Sequence, residues 1–372
     1  YQIVDPTGQT VTFQRNDAQR ELWAQLHWWN LILKARQRGI STFICILMLD
    51  ACLFNSNTHC GLIDATLTDA TKKLDKVRFA YNSLPAELRN IRPLLADNAT
   101  SLEWLNGSRI DVGTSHRGGT LQILHVSEMG KIAATAPRRS REIRTGAFGT
   151  IHQNALVFVE STAEGAFGDF YDLVQDADAL AATGQKPAAQ QFHLVFLPWW
   201  RQETYSAPAD SVTITKEQEE YFEELKAQHA IELTPEQKAW YVIRQKAIGP
   251  DDMWREYPAT ANEAFKVSLE GAYFKTQLTK LRLDRRIGKV PFDTALPVHT
   301  CWDIGKGDST AVWFFQAHGT MIHLIYYHED SGEGVSHYAN VLRDLARERG
   351  WQYGRHYGPH DLDNSHWVLP GR

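Results

Sequence analysis

Cysteine is scarce, with four residues in a chain of 372. Cys45, Cys52, Cys60 and Cys301 show no C-x-x-C pairing and stand mostly in apolar surroundings. That argues against a disulfide framework and against thiolate metal sites, and predicts reduced core thiols in a reducing compartment. A long hydrophobic run is also lacking. The longest, Phe43 to Leu49, falls far short of the roughly 20 residues a membrane span needs, and no signal-peptide pattern opens the chain. Nor is positive charge in excess: the formal net charge is −5, so any contact with nucleic acid has to come from local patches. The sequence opens at Tyr1, and residues upstream of it are expected.

What is present suits a water-soluble chain of two or three domains, with 43% hydrophobic and 22% charged residues. The stretch Leu31 to Thr42, LILKARQRGIST, reads as a buried strand turning into a helix start. It is a damaged form of G-x-x-x-x-G-K-S/T, the loop whose backbone N–H groups cradle phosphates. Gly39, Ser41 and Thr42 fall in place, but Ile40 occupies the lysine position. Lys34 stands where the first glycine belongs, and its flexible stem can carry the ammonium to the same phosphates. Arg36, Gln37 and Arg38 complete the candidate nucleotide-binding set, with Ser41 as a ligand for Mg²⁺. The competing reading of this stretch alone is a polar strand-to-helix turn with incidental basic residues.

Upstream, Phe13 to Gln19 precedes an apolar, tryptophan-rich helix expected to end near Trp29, and Gln19 is a candidate contact to adenine. A plain amphipathic helix with an Asn or Asp cap fits these residues equally well. Downstream, Ser41 to Phe54 predicts a buried helix, Gly61 to Ala65 a strand and Asp69 to Tyr81 an amphipathic helix. This alternation predicts a parallel sheet covered on both faces. Asn106-Gly107 between alternating residues predicts a hairpin over Leu102 to Val112. Leu121 to Glu128 is an apolar strand delivering a carboxylate at its end, as a Walker B strand does, with Ser127-Glu128 in place of Asp-Glu. Glu128 is the candidate base that orients the attacking water. A second such strand, Ala155 to Ala163, brings Ser161 and Thr162 to the position of a γ-phosphate sensor. Arg36, Arg38 and Arg117 are candidate arginine fingers, Arg117 from a neighbouring subunit.

Loop Lys34–Thr42, strand and acid Leu121–Glu128, strand Val157–Ala163 and the segment Trp254 to Phe265, WREYPATANEAF, stand in an order that resembles the large terminase subunit of tailed bacteriophages. The resemblance spans almost the whole chain. It implies a P-loop ATPase of the RecA/ASCE type that drives double-stranded DNA into a procapsid, using ATP and Mg²⁺. It also implies an RNase H-like nuclease that cuts the concatemer with Mg²⁺ or Mn²⁺. The partners implied are double-stranded DNA, the portal protein of the procapsid, the small terminase subunit and further copies of the chain in a pentameric ring. The setting implied is the host cytoplasm at the portal vertex, with no membrane.

The second half can be read without the family. Val298 to Asp303, Ser309 to Ala317 and Met321 to His328 predict three meandering strands, Val335 to Arg349 a helix, and Trp351 to Asp361 a fourth strand beside the first. That is the RNase H arrangement, and it would bring Asp303 and Asp361 together for two-metal phosphodiester hydrolysis. Asp308 is a candidate third metal ligand, and His360 could orient a carboxylate or water. The domains expected are an ATPase core over 1–205, a helical lid or linker over 206–295 and the first part of a nuclease over 296–372. The nuclease is expected to be incomplete, because the family's further downstream acid has no counterpart before Arg372. Two other functions fit the same residues: a helicase-like ATPase without nuclease activity, and a catalytically silent scaffold that bridges DNA and capsid.

Overall fold

The computed structural model describes residues 1–116, 119–265, 281, 286–288, 290–305 and 309–359. It is a mixed α/β chain that divides into two compact units, Tyr1–Ser268 and Leu269–Arg372.

In the first unit a small hairpin, β1 (Gln2–Val4) with β2 (Thr10–Thr12), precedes the main sheet. The sheet holds β3 (Trp29–Lys34), β4 (His59–Ile63), β5 (Leu94–Asn98), β6 (Ser101–Trp104), β7 (Arg109–Gly113), β8 (Leu121–Ser127), β9 (Ile151–Ser161) and β10 (Phe192–Leu197). Its spatial order is β10-β3-β9-β8-β4-β7-β6-β5. Pairing is parallel from β10 to β7 and antiparallel from β7 to β5. The parallel strands are apolar runs instead of alternating ones, as burial on both faces demands. Leu31, Ile32 and Leu33 of β3 and Val157, Phe158 and Val159 of β9 are all inaccessible to solvent. β9 lies between β3 and β8, so the ends of three parallel strands open side by side where β3 enters the loop.

The helix Ile40–Phe54 is apolar beyond its first turn except for Asp50, and a helix so apolar belongs largely inside a core. Ile44, Cys45, Met48, Leu49 and Cys52 are fully buried. The hairpin over Leu102 to Val112 is present, with Gly107 at φ +81° supplying the left-handed turn residue. The first helix is shorter than expected. It spans Asp17–Ala24, and Trp29 opens β3 instead of closing a helix. Asn30 sets that break. Its side chain bonds the backbone N–H and carbonyl of His27 and the carbonyl of Val157, fastening a turn just ahead of the strand.

The helical stretch after 205 is not a separate body. The helices Lys216–His229, Pro235–Ile248 and Pro250–Glu256 share one core with Ala35 of the loop and with Trp199 and Tyr205. Tyr205 and Trp199 stack on Trp240 in that core, Tyr241 lies tilted against Trp199, and Tyr257 meets Tyr205 and Trp240 edge-on. This aromatic packing joins the three helices to the first unit, which runs from Tyr1 to Ser268. Thr234 caps its helix with Gln237 in a reciprocal box, with Pro235 in the first turn.

The second unit is a four-stranded sheet of β11 (Val298–Asp303), β12 (Ser309–His318), β13 (Met321–Ser331) and β14 (Tyr353–Tyr357), in the order β13-β12-β11-β14. β14 runs parallel to β11 and the other pairs are antiparallel, so the first and fourth strands are neighbours. Tyr338 and Leu345 of the helix Val335–Arg349 share a core with Val298, Val312, Phe314 and Trp351. Trp313, Leu324, Tyr327 and Tyr357 stay exposed. Cys45, Cys52 and Cys60 are buried free thiols as expected, whereas Cys301, in the strand β11, is exposed. No helix among the described residues is long and apolar enough to cross a membrane.

Candidate active site

The loop between β3 and the helix Ile40–Phe54 is held from three sides. Ala35 N–H donates to the Leu197 carbonyl of β10, and Arg36 N–H to the Glu256 carbonyl. Tyr205 O–H donates to the Arg36 carbonyl, Asn16 Nδ2 to that of Arg38, and Gln19 Nε2 to that of Gly39. Gln37 and Gly39 are left-handed, at φ 53° and 72°. A methyl group on Gly39 would lie 2.7 Å from Gln19 Nε2, so the close approach needs glycine as much as the turn does. Gly39 offers no side-chain cap to the 15-residue helix behind it. The first N–H groups of that helix and its positive end therefore face the loop, the arrangement that favours phosphate.

Lys34 is buried at the end of β3, with its ammonium 3.4 Å from Glu128 and 3.6 Å from Glu160. Burial pulls the pKa of Lys34 down, but the two carboxylates outweigh it and hold the pKa above the ordinary lysine value. Glu160, the penultimate residue of β9, is inaccessible to solvent. Its Oε1 accepts hydrogen bonds from Ser41 Oγ and from Ser127 Oγ at 3.1 Å, and lies 3.0 Å from His125 Nε2. Burial alone would push this carboxyl up. The Lys34 ammonium, then His125 and the Ser41 hydroxyl, hold it far below the usual carboxylate range, so it is ionised. Its Oε2 accepts no hydrogen bond and faces Lys34.

Sequence reasoning missed Glu160. Ser127 takes the place of the Asp in the usual Asp-Glu pair, and in the register of the two strands it stands opposite Glu160. Glu160 thus stands one strand to the side of the position where an acid is expected, within reach of the Ser41 hydroxyl. A glutamate next to Ser161 in an apolar strand was the available signal, but only the pairing of β8 with β9 gives it meaning.

Glu128 is half-exposed at the mouth of the site, in a left-handed conformation with φ 57° and ψ 41°. A residue other than glycine held there carries strain, which here turns the carboxylate out of the strand toward Lys34. The cleft in front of the loop has a volume of about 520 Å³. Lys34, Arg36, Gln37, Arg38, Gly39, Ser41, Thr42, Glu128 and Thr162 all line it. So do cations unforeseen in the sequence, Lys76, Lys131, Arg244 and Arg255. Arg38 is buried, with Nη1 bonded to Gln202 at 2.6 Å and with Nε and Nη2 lacking any hydrogen-bond acceptor. Such orphaned donors are costly, and an anion would satisfy them. Arg36 is committed elsewhere, its guanidinium forked onto Glu256.

Two expected contacts fall outside the cleft. Gln19 spends its amide on the capping box with Asn16 and on the Gly39 carbonyl, so it shapes the loop. Ser161 is buried and accepts from the Gly130 N–H at 3.0 Å, which ties β9 to the helix Met129–Thr135. The segment Trp254 to Phe265 packs against the same loop through Glu256. Its Phe265 meets Tyr171 and Phe170 in the core behind the sheet. Arg117 lies outside the described residues.

In the second unit Asp303 ends β11 exposed, beside the end of β14. Asp308, His360 and Asp361 lie outside the described residues. In register, Asp303 stands opposite Ala311, which stands opposite Glu329, so Glu329 shares its sheet face.

No family model matches the chain, and no curated protein matches it. Among solved structures it is similar to the Thermus phage P74-26 large terminase ATPase domain, at 14% identity and a TM-score of 0.41, over 68% of this chain and 94% of that one. It is similar to the large terminase of a thermophilic bacteriophage in complex with ADP, at 9% identity and a TM-score of 0.40, over 94% and 79%. It is also similar to the HK97 bacteriophage large terminase, at 14% identity and a TM-score of 0.46, over 95% of this chain and 71% of that one.

Proposed function

We propose that the first unit is an ATPase and that the chain is the motor subunit that drives double-stranded DNA into a phage procapsid. The observation that carries the ATPase reading is the meeting of Lys34, Glu128, Glu160 and Ser41 at the open N-terminus of a long buried helix. Phosphoryl transfer asks a protein for positioning and electrostatic stabilisation more than for covalent chemistry. Lys34 brings its ammonium to the phosphates from the strand side, in place of Ile40. The helix N–H groups and Arg38 hold the non-bridging oxygens. Glu128 accepts hydrogen bonds from the attacking water, and Thr162 faces the γ-phosphate. Ser41 and Glu160 supply hard oxygen donors with one carboxylate oxygen unbonded, a set that fits Mg²⁺. Bound by Ser41 with Glu160 behind it, that ion would neutralise charge on the β- and γ-phosphates. The DNA-packaging part of the reading rests on the order of the four motifs along the sequence. Portal protein, small terminase subunit and a ring of copies are the partners it entails, in the host cytoplasm. An arginine finger in trans is assigned to Arg117.

The test is ATP turnover with and without double-stranded DNA. A motor is expected to hydrolyse ATP faster when DNA is added, with the stimulation falling steeply as salt rises, because a sequence-blind motor holds phosphates. Nucleotide binding without turnover under any DNA condition would favour the silent scaffold.

The second unit is proposed as the RNase H-like nuclease, with Asp303, Asp308 and Asp361 as ligands for Mg²⁺ or Mn²⁺. What supports it is the neighbouring parallel pair β11 and β14: Asp303 closes β11, and Asp361 follows β14 in the sequence. Asp303→Asn is expected to abolish metal-dependent DNA cutting while ATP turnover persists. Equal cutting by the variant would remove Asp303 from the ligand set.

A further inference from the structure

His328 and Asp330 project from the same face of the edge strand β13, and His337 lies in the first turn of the helix Val335–Arg349 that follows it. One ligand atom from each falls within 4.8 Å of the other two, and all three residues are half-buried. His337 Nε2 is 3.2 Å from Asp330 Oδ2 without the alignment of a hydrogen bond. His328 Nε2 is likewise shut off from solvent with no hydrogen-bond partner. Two buried ring nitrogens left unsatisfied in one spot need an explanation, since such atoms nearly always have a partner.

We propose that His328, Asp330 and His337 bind a divalent transition-metal ion of the Zn²⁺ class. Two imidazoles and one carboxylate suit Zn²⁺, Co²⁺ or Ni²⁺ over Mg²⁺ or Ca²⁺, which prefer oxygen alone. A tetrahedral ion with bonds of about 2.1 Å sets its ligand atoms about 3.4 Å apart, close to the spacing already present between His337 and Asp330. Glu333 Oε2 lies 3.9 Å from the other ring nitrogen of His337, Nδ1. A carboxylate behind a liganding histidine fixes its tautomer and raises its basicity. Asp330 and Glu333 together balance the charge of the ion. His328, through Val312, stands in the row of Trp302 on the helix-covered side of the sheet, whereas Asp303 and Glu329 alternate to the other. The site is therefore separate from the nuclease centre proposed above and independent of it. Its effect is structural: the ion ties an edge strand held by one neighbour to the start of the helix across the Gly332–Gly334 connection.

The test uses the full chain, loaded with Zn²⁺ or Co²⁺ at neutral pH and passed through a desalting step. Because the sequence carries 15 histidines, stoichiometry is read against variants. The wild type is expected to retain one more ion than His328→Gln or His337→Gln, with affinity reduced at least 10-fold in Asp330→Asn. Co²⁺ should give a visible d–d band that each variant loses. His229→Gln, on the surface of the first unit, should leave all readouts unchanged, and ATP turnover should be the same in every variant. Zn²⁺ content and Co²⁺ spectrum identical in wild type and His328→Gln would overturn the site. So would failure of the wild type to retain any ion, which would leave a simple His337–Asp330 ion pair.

Discussion

A Glu160→Gln protein is expected to hydrolyse ATP about 10²–10³-fold more slowly than the wild type, the scale on which loss of one preorganised electrostatic group is felt. Glutamine keeps the shape and can still accept from the Ser41 hydroxyl, so the effect isolates the charge. It also leaves the Lys34 ammonium buried with only half-exposed Glu128 nearby, and breaking a buried pair from one side costs about 3–5 kcal/mol. The denaturation midpoint should fall with the turnover. Glu160 acts through Ser41 and Lys34, so a readout other than rate separates its role from mere packing. Nucleotide affinity should drop several-fold more in the presence of Mg²⁺ than in EDTA. An equal drop in both would mean that the carboxylate supports only the fold. The pH dependence has a definite sign. A carboxyl whose folded pKa is depressed contributes stability that is fully present above its unfolded value, about 4.3, and is lost as pH falls through the folded one. The wild-type advantage over Glu160→Gln should therefore be constant near neutral pH and shrink only in strong acid.

Lys34→Ala is expected to remove ATP turnover to a similar extent, about 10²–10³-fold, and for a complementary reason. Among the described residues no other cation enters the loop from the strand end. Arg36 is forked onto Glu256, and Arg38 is anchored to Gln202 on the far side of the turn. Without the ammonium, Glu160 stays buried among the Ser41 and Ser127 hydroxyls and His125. A buried carboxylate so exposed to desolvation takes up a proton more readily, and the variant should lose stability toward high pH compared with Glu160→Gln. Adding Ile40→Lys in the same chain is expected to recover part of the turnover, since a lysine at the start of the helix approaches the same phosphates from the other side. Normal hydrolysis by Lys34→Ala, with loss in Arg38→Ala, would transfer the role to the arginine whose Nε and Nη2 are unpaired.

Much of this architecture was legible in the residues because it is local. An apolar run ending in Lys34, a left-handed Gly39 and a largely apolar helix are readable within a dozen positions. So are Asn106-Gly107 and the four strands and helix of the second unit. What escaped depends on which strands lie side by side. Ser127 looked like a lost acid because periodicity along β8 says nothing about β9, whose Glu160 fills the gap from the neighbouring strand. The sequence also cannot say that Gly39 comes within reach of the Gln19 amide, which holds its carbonyl. The helix expected to run to Trp29 ended at Ala24 because Asn30 bonds His27 and Val157, the latter over a hundred residues away. Arg244 and Arg255 reach the cleft only because the aromatic core around Trp199 folds their helices onto the loop.

The left-handed backbone at Glu128 has a consequence for how this chain can change. At such a position glycine, or failing that asparagine, is the more comfortable occupant, by an amount on the order of 1 kcal/mol. The fold on its own would therefore drift away from glutamate there. A half-exposed carboxylate at the mouth of the cleft is thus held against the preference of its own backbone. Selection for a more durable protein and selection for a working one pull this single codon in opposite directions.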